Sequence, residues 1–134
     1  MKLLLDTHLI LWALDDSPRL PPQVRYLIED ATNELFYSVA SAWEVQIKHM
    51  NAPLKMLIDG DSLMSLCDKG GLIQLPVAGR HVSTLKSLTR NPEAKPHKDP
   101  FDRMLIAQAK ADGLLLLTHD SLLSGYDEPC VLVV

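Results

Sequence analysis

The sequence predicts an α/β domain built on a mainly parallel sheet, and three observations predict it. Short segments such as KLLLD (2–6) and LLLLT (114–118) are solid aliphatic runs, as strands buried on both faces are. These runs alternate with segments of helical character, the order that makes a layered α/β fold. The chain has 134 residues, 47% hydrophobic and 22% charged, enough for one domain with a real core. No repeat, low-complexity segment or composition shift divides it, so a single domain over residues 1–134 is expected.

The elements follow in order. KLLLD is a buried strand ending at an acid, and THLILWALDD is a helix that stops at the turn SPRLPP. PPQVRYLIEDATN carries Val24, Leu27 and Ile28 at helical spacing, with proline tolerated in the first turn. ELFYSV (34–39) is rich in β-formers and reads as the second strand. SAWEVQIKHM is a helix stopped at Ala52-Pro53, and DSLMSLCDKGG is a helix ended by glycine. LIQLPV is a strand and GRHVSTLKSL another helix. TRNPEAKPHKDP is a long polar loop with three prolines, of the kind that is either functional or disordered. DPFDRMLIAQAKADG is a helix closed by Gly113, LLLLT a buried strand, and CVLVV the last strand.

Composition narrows the function. The net charge is −4, from 13 Lys+Arg against 17 Asp+Glu, so the chain is no bulk electrostatic binder of nucleic acid. Contact with phosphates would need a local basic patch or bound cations. Cys67 and Cys130 have no metal-ligand spacing and suggest no disulfide framework, which fits a cytoplasmic setting. The opening MKLLLDTHLILWAL is interrupted by Asp6 and His8 and reads as structure rather than as an address. No apolar run reaches membrane-spanning length, so no membrane partner is expected.

Ligands of open α/β sheets bind beyond the carboxyl ends of the strands. Asp6 ends the first strand, and Asp120 follows the end of LLLLT by two residues. Glu44 stands in the first turn of the helix after the second strand, and Asp102 in the first turn of the helix before LLLLT. Each has a structural reading. Asp6 suits an N-cap. Ser41-Ala-Trp-Glu44 fits a capping box, and Glu44 with Lys48 fits an i,i+4 surface pair. Asp99 suits an N-cap before Pro100, with Asp102 complementing the helix dipole. Asp120-Ser121 suits a turn.

The joint pattern points further. Asp102 shares a face with Leu105, Ile106 and Ala109, while Arg103 lies about 100° away around the helix. A carboxylate at the inward end of a buried stripe is costly without a partner. Acids gathered without matching arginines repel one another and take up protons, unless a divalent cation relieves them. Asp99 then caps and Asp102 binds metal. Oxygen-only ligands favour Mg2+ or Mn2+, and such a site suits phosphodiester hydrolysis. His8, His97 and His119 lack ligand spacing and read as solvent-facing, with His119 a candidate for substrate contact. Lys95, Lys98 and Arg103 flank the site as candidate phosphate contacts. Trp12 and Trp43 read as core or interface.

Four blocks, MKLLLDTHLILWAL, SVASAWEVQIK, HKDPFDRMLIAQA and LLLLTHD, resemble in order and spacing the acidic motifs of PIN-domain ribonucleases, in particular the VapC-type toxins of toxin–antitoxin pairs. The resemblance runs from residue 1 to about residue 126. It implies a three-layer α/β/α sandwich and cleavage of RNA with Mg2+ or Mn2+. It implies Asp6, Glu44, Asp102 and Asp120 as catalytic, metal-binding acids, supported by the hydroxyls of Thr7 and Thr118. Asp99 belongs to the HxDPFDR variant of the third block and is a possible additional ligand. A cognate antitoxin and a homodimer are the implied partners.

Three other functions compete. A phospho-receiver module would want a neighbouring acidic pair after the first strand, where this chain has Thr7 and His8. A phosphatase with an Asp nucleophile would want a second acid at the position of His8. An inactive PIN-like scaffold for RNA or a partner would not need all four acids.

Overall fold

The computed structural model describes residues 1–134. Its elements are β1 (Lys2–Leu5), α1 (Thr7–Leu14), α2 (Pro22–Glu29), β2 (Glu34–Ser38), α3 (Val39–Asn51), α4 (Gly60–Lys69), β3 (Ile73–Leu75), α5 (Gly79–Thr84), α6 (Pro100–Asp112), β4 (Leu115–Thr118) and β5 (Val131–Val133). Two 3₁₀ turns lie at Leu85–Ser87 and Ser121–Gly125. The five strands form one sheet in the order β3-β2-β1-β4-β5, with every pairing parallel. No helix is long and apolar enough to cross a membrane.

Side-chain alternation along the strands divides the core into two layers. Leu3 and Leu5 of β1 join Leu9, Ile10, Val24, Tyr37, Val45, Leu63 and Leu117 on one face. Leu4 points the other way, into Leu105, Ile106, Ala109, Leu116 and Leu123. The sheet is thus covered on both sides, an α/β/α sandwich, and its strands had to be aliphatic throughout.

Strand order decides where a site can form. The chain builds outward from β1 through β2 to β3, then returns to place β4 and β5 on the opposite side of β1. Between the carboxyl ends of β1 and β4 the direction of winding reverses, the position at which open α/β sheets form their binding crevice. In a receiver domain the first strand lies between the second and third. Here β1 lies between β2 and β4, which excludes that alternative.

Three expectations are corrected locally. The helix expected from Ser41 begins at Val39, capped by Ser38, whose hydroxyl accepts from the Ala40 N–H at 3.0 Å. That hydroxyl donates to the fully buried Gln108 of α6, so a contact between helices chose this serine over Ser41. GRHVSTLKSL is not one helix. Thr84 and Ser87 bond back to the carbonyls of Arg80 and Thr84, and such back-bonding competes with regular helix. The loop at 89–98 is also pinned: the Asn91 N–H donates to the Gly125 carbonyl and the Asp127 N–H to the Thr89 carbonyl.

Candidate functional site

Asp6 follows β1 directly and caps α1, its Oδ1 accepting from the Leu9 N–H at 2.9 Å. Its Oδ2 accepts the hydroxyl proton of Thr118, at the end of β4. One side chain therefore ties the two strands that flank the crevice. Asp6 is 4% exposed. Burial pushes its carboxyl above the usual range against the Thr118 and Leu9 hydrogen bonds, and the charge of Asp120 adds to the rise. Asp120 lies two residues beyond Thr118, whose hydroxyl oxygen accepts the Asp120 N–H at 3.1 Å. Its own carboxylate takes the Leu122 N–H at 2.9 Å.

Asp102 enters from α6. Asp99 caps that helix, accepting from the Phe101 and Asp102 N–H groups at 2.9 and 3.1 Å, and Asp102 falls in the first turn above the buried Leu105, Ile106 and Ala109. Burial pushes its carboxyl up to about 6, with the charges of Asp99 and Glu44 raising it further and the His97 hydrogen bond opposing them. Ligand atoms of Asp102, Asp120 and His97 lie within 4.8 Å of one another.

Glu44 reaches the same crevice from α3, where it stands in the second turn rather than the first. With Ser38 as the cap, the expected capping box is not formed. Glu44 is 5% exposed and accepts the Thr7 hydroxyl proton at 2.7 Å and Lys48 Nζ at 2.8 Å. The i,i+4 pair therefore exists, but on a buried acid. No arginine pairs with any of the four acids, as the sequence suggested; Glu44 has Lys48 beside it and Asp102 has His97.

The sequence reading placed His97 in solvent, and the structure corrects this. Its side chain is 5% exposed, with Nδ1 on the Tyr126 hydroxyl at 2.7 Å and Nε2 on Asp102 at 3.2 Å. No ligand-spacing rule finds it, because the residue reaches the helix terminus from a preceding loop. Arg103 does diverge from Asp102 along the helix, but its guanidinium returns over the Tyr126 ring and donates to the hydroxyl at 3.2 Å. Lys98 is exposed, while the Lys95 carbonyl is taken by Arg90. His119 is exposed, packed edge-on against Trp12 and bonded to the Val134 carbonyl. Trp43 is no core residue: it is 62% exposed and edge-on to Phe101 at 5.2 Å, beside Glu44 and Asp102 in sequence.

With this geometry established, comparisons with known proteins are informative. A family model described as PIN domain matches residues 3–129. No curated protein matches the sequence. Similar solved structures include VapBC2 from Rickettsia felis bound to a DNA fragment from their promoter, with TM-score 0.66 and 14% identity over 100% of this chain and 98% of that one. VapBC-1 from nontypeable Haemophilus influenzae gives 0.56 and 14%, over 90% and 87%. FitAcB from Neisseria gonorrhoeae gives 0.50 and 18%, over 89% and 88%. Identities this low carry the fold alone.

Proposed function

Because the chain belongs to the PIN domain family, we propose that it is a metal-dependent endoribonuclease and the toxin of a toxin–antitoxin pair. The observation that carries this reading is the approach of Asp102 to Asp120 within 4.8 Å, with the buried Asp6 feeling the charge of Asp120 and Asp102 raised to about 6. Four separate elements deliver acids to one crevice, and only Glu44 has a lysine. The donors are carboxylate oxygens, which suits a hard cation such as Mg2+ or Mn2+.

Asp6, Glu44, Asp102 and Asp120 would hold the ion, with Asp99 offering one further oxygen, the one that does not cap α6. When bound, the ion lowers the pKa of a coordinated water and stabilises charge on the scissile phosphate. The surrounding residues orient the acids. Thr118 holds Asp6 Oδ2, and Thr7 bridges Glu44 and the Ser41 hydroxyl. Lys98, Arg103 and His119 are the candidate contacts to the RNA backbone. The likeness to VapBC and FitAcB structures supports a cognate antitoxin as partner, and a homodimer is proposed from the family resemblance of the four acidic blocks alone.

The test is cleavage of single-stranded RNA by the purified protein. Cutting is expected with Mg2+ or Mn2+ and is expected to fall to background in chelator, in Asp6→Asn and in Asp102→Asn. Undiminished cutting by either folded variant, or in excess chelator, would refute the proposal.

A further inference from the structure

One hydrogen-bonded chain runs outward from the acids, and its polarity can be read. Arg103 Nη1 donates to the Tyr126 hydroxyl oxygen at 3.2 Å, and a guanidinium has no acceptor to offer in return. The ionised Asp102 carboxylate at the other end can only accept, so His97 Nε2, 3.2 Å from its Oδ2, carries the proton, and Nδ1 of the neutral ring accepts from the Tyr126 hydroxyl, 2.7 Å away.

The rest of the segment holds this arrangement. The Arg90 guanidinium lies 4.7 Å from the Tyr126 ring centre and donates to the carbonyls of Lys95 and Leu122. The tight approach depends on Gly125, where a Cβ would lie 2.8 Å from both Ala94 Cβ and Arg90. Tyr126 is 6% exposed and the His97 side chain 5%. The long polar loop is therefore a strap whose product is one oriented imidazole.

Resting on the metal site proposed above, we propose that His97 is a positioning residue: its Nε2–H holds Asp102 Oδ2 and leaves Oδ1 for the cation, with Tyr126 holding the tautomer. His97 is near enough to be mistaken for a ligand, since its ring nitrogen lies within 4.8 Å of the Asp102 and Asp120 oxygens. Coordination needs a lone pair, however. Nδ1 has given its lone pair to Tyr126, and Nε2 carries the proton. Outer-shell partners of this kind orient a ligand, and their loss typically costs about 10–100-fold in metal affinity.

The test is Mn2+ binding to the full chain by calorimetry, with unfolding midpoints recorded for each variant. His97→Ala is expected to weaken Mn2+ by about 10–100-fold. His97→Gln keeps an N–H donor and is expected to recover most of the loss. Tyr126→Phe, which keeps the ring but frees the tautomer, is expected to fall between. Electron spin-echo spectroscopy of bound Mn2+ is expected to show no directly coordinated nitrogen. Wild-type affinity in both His97→Ala and Tyr126→Phe would overturn the inference, as would a coordinated nitrogen that disappears in His97→Gln. A wild-type protein that binds no Mn2+ would instead overturn the metal reading, and this inference with it.

Discussion

Burial and the neighbouring charges of Asp99 and Glu44 push Asp102 up to about 6 in the folded chain, from an ordinary aspartate value of 3.8. A raised carboxyl makes the folded state bind the extra proton, so the stability it contributes falls as pH climbs from about 4 to about 6 and stays lost above that. Asp102→Asn is therefore expected to stabilise the metal-free protein at pH 7–8, by about 1–2 kcal/mol once solvent screening is allowed for. The measurement is urea unfolding in chelator. The difference should vanish near pH 4, and a variant less stable than wild type at pH 8 would contradict the assignment. The acids were legible in the sequence because each sits at an element boundary or on a buried stripe. His97 was not, because its role rests on Tyr126, 29 residues away.

At the scale of elements, α5 is tied to the end of α6 by a compact ionic group. Arg80 Nε and Nη2 donate to Asp112 at 2.8 and 3.0 Å, and the fully buried His81 meets it at 2.9 Å. His81 Nδ1 accepts the Ala78 N–H, so its Nε2–H is the donor to Asp112. The Arg80 hydrogen bonds, aided by His81, hold the Asp112 carboxyl down to about 2. A depressed carboxyl gives stability that is present above about pH 4 and lost as pH falls toward about 2. Asp112→Ala is expected to cost about 1–2 kcal/mol at pH 7 and to flatten the acid limb of a pH–stability curve. An unchanged acid limb would mean that the group carries no stability. Helix existence was legible from periodicity, but helix starts were less so. Ser38 and Ser41 are both competent caps, and the choice fell to a bond with Gln108 on a different helix. That shift moved Glu44 from the first turn to the second without moving it out of the crevice.

At the scale of the molecule, the net charge of −4 bears directly on RNA binding. An acidic chain with a crevice of carboxylates should repel a phosphate backbone until cations intervene. Fluorescence anisotropy with a short single-stranded RNA is expected to show weak binding in chelator and tighter binding with Mn2+. Asp102→Asn should lose most of that gain. Tight binding in chelator that is insensitive to Asp102 would place the RNA on another surface. The two core layers explain why the fold class was readable: strands covered on both faces must be aliphatic at every position.

The sequence by itself determined the α/β class, the run of strands and helices, and the acids most worth watching. Those properties are written in local periodicity, in capping chemistry and in the cost of a charge on an apolar stripe. Only the tertiary structure decided that β4 lies beside β1, which brings Asp120 to Asp6. It also decided that the long polar loop folds back as a strap and delivers His97 to Asp102. Strand order and loop path depend on contacts between residues far apart in the chain, and no local periodicity records them.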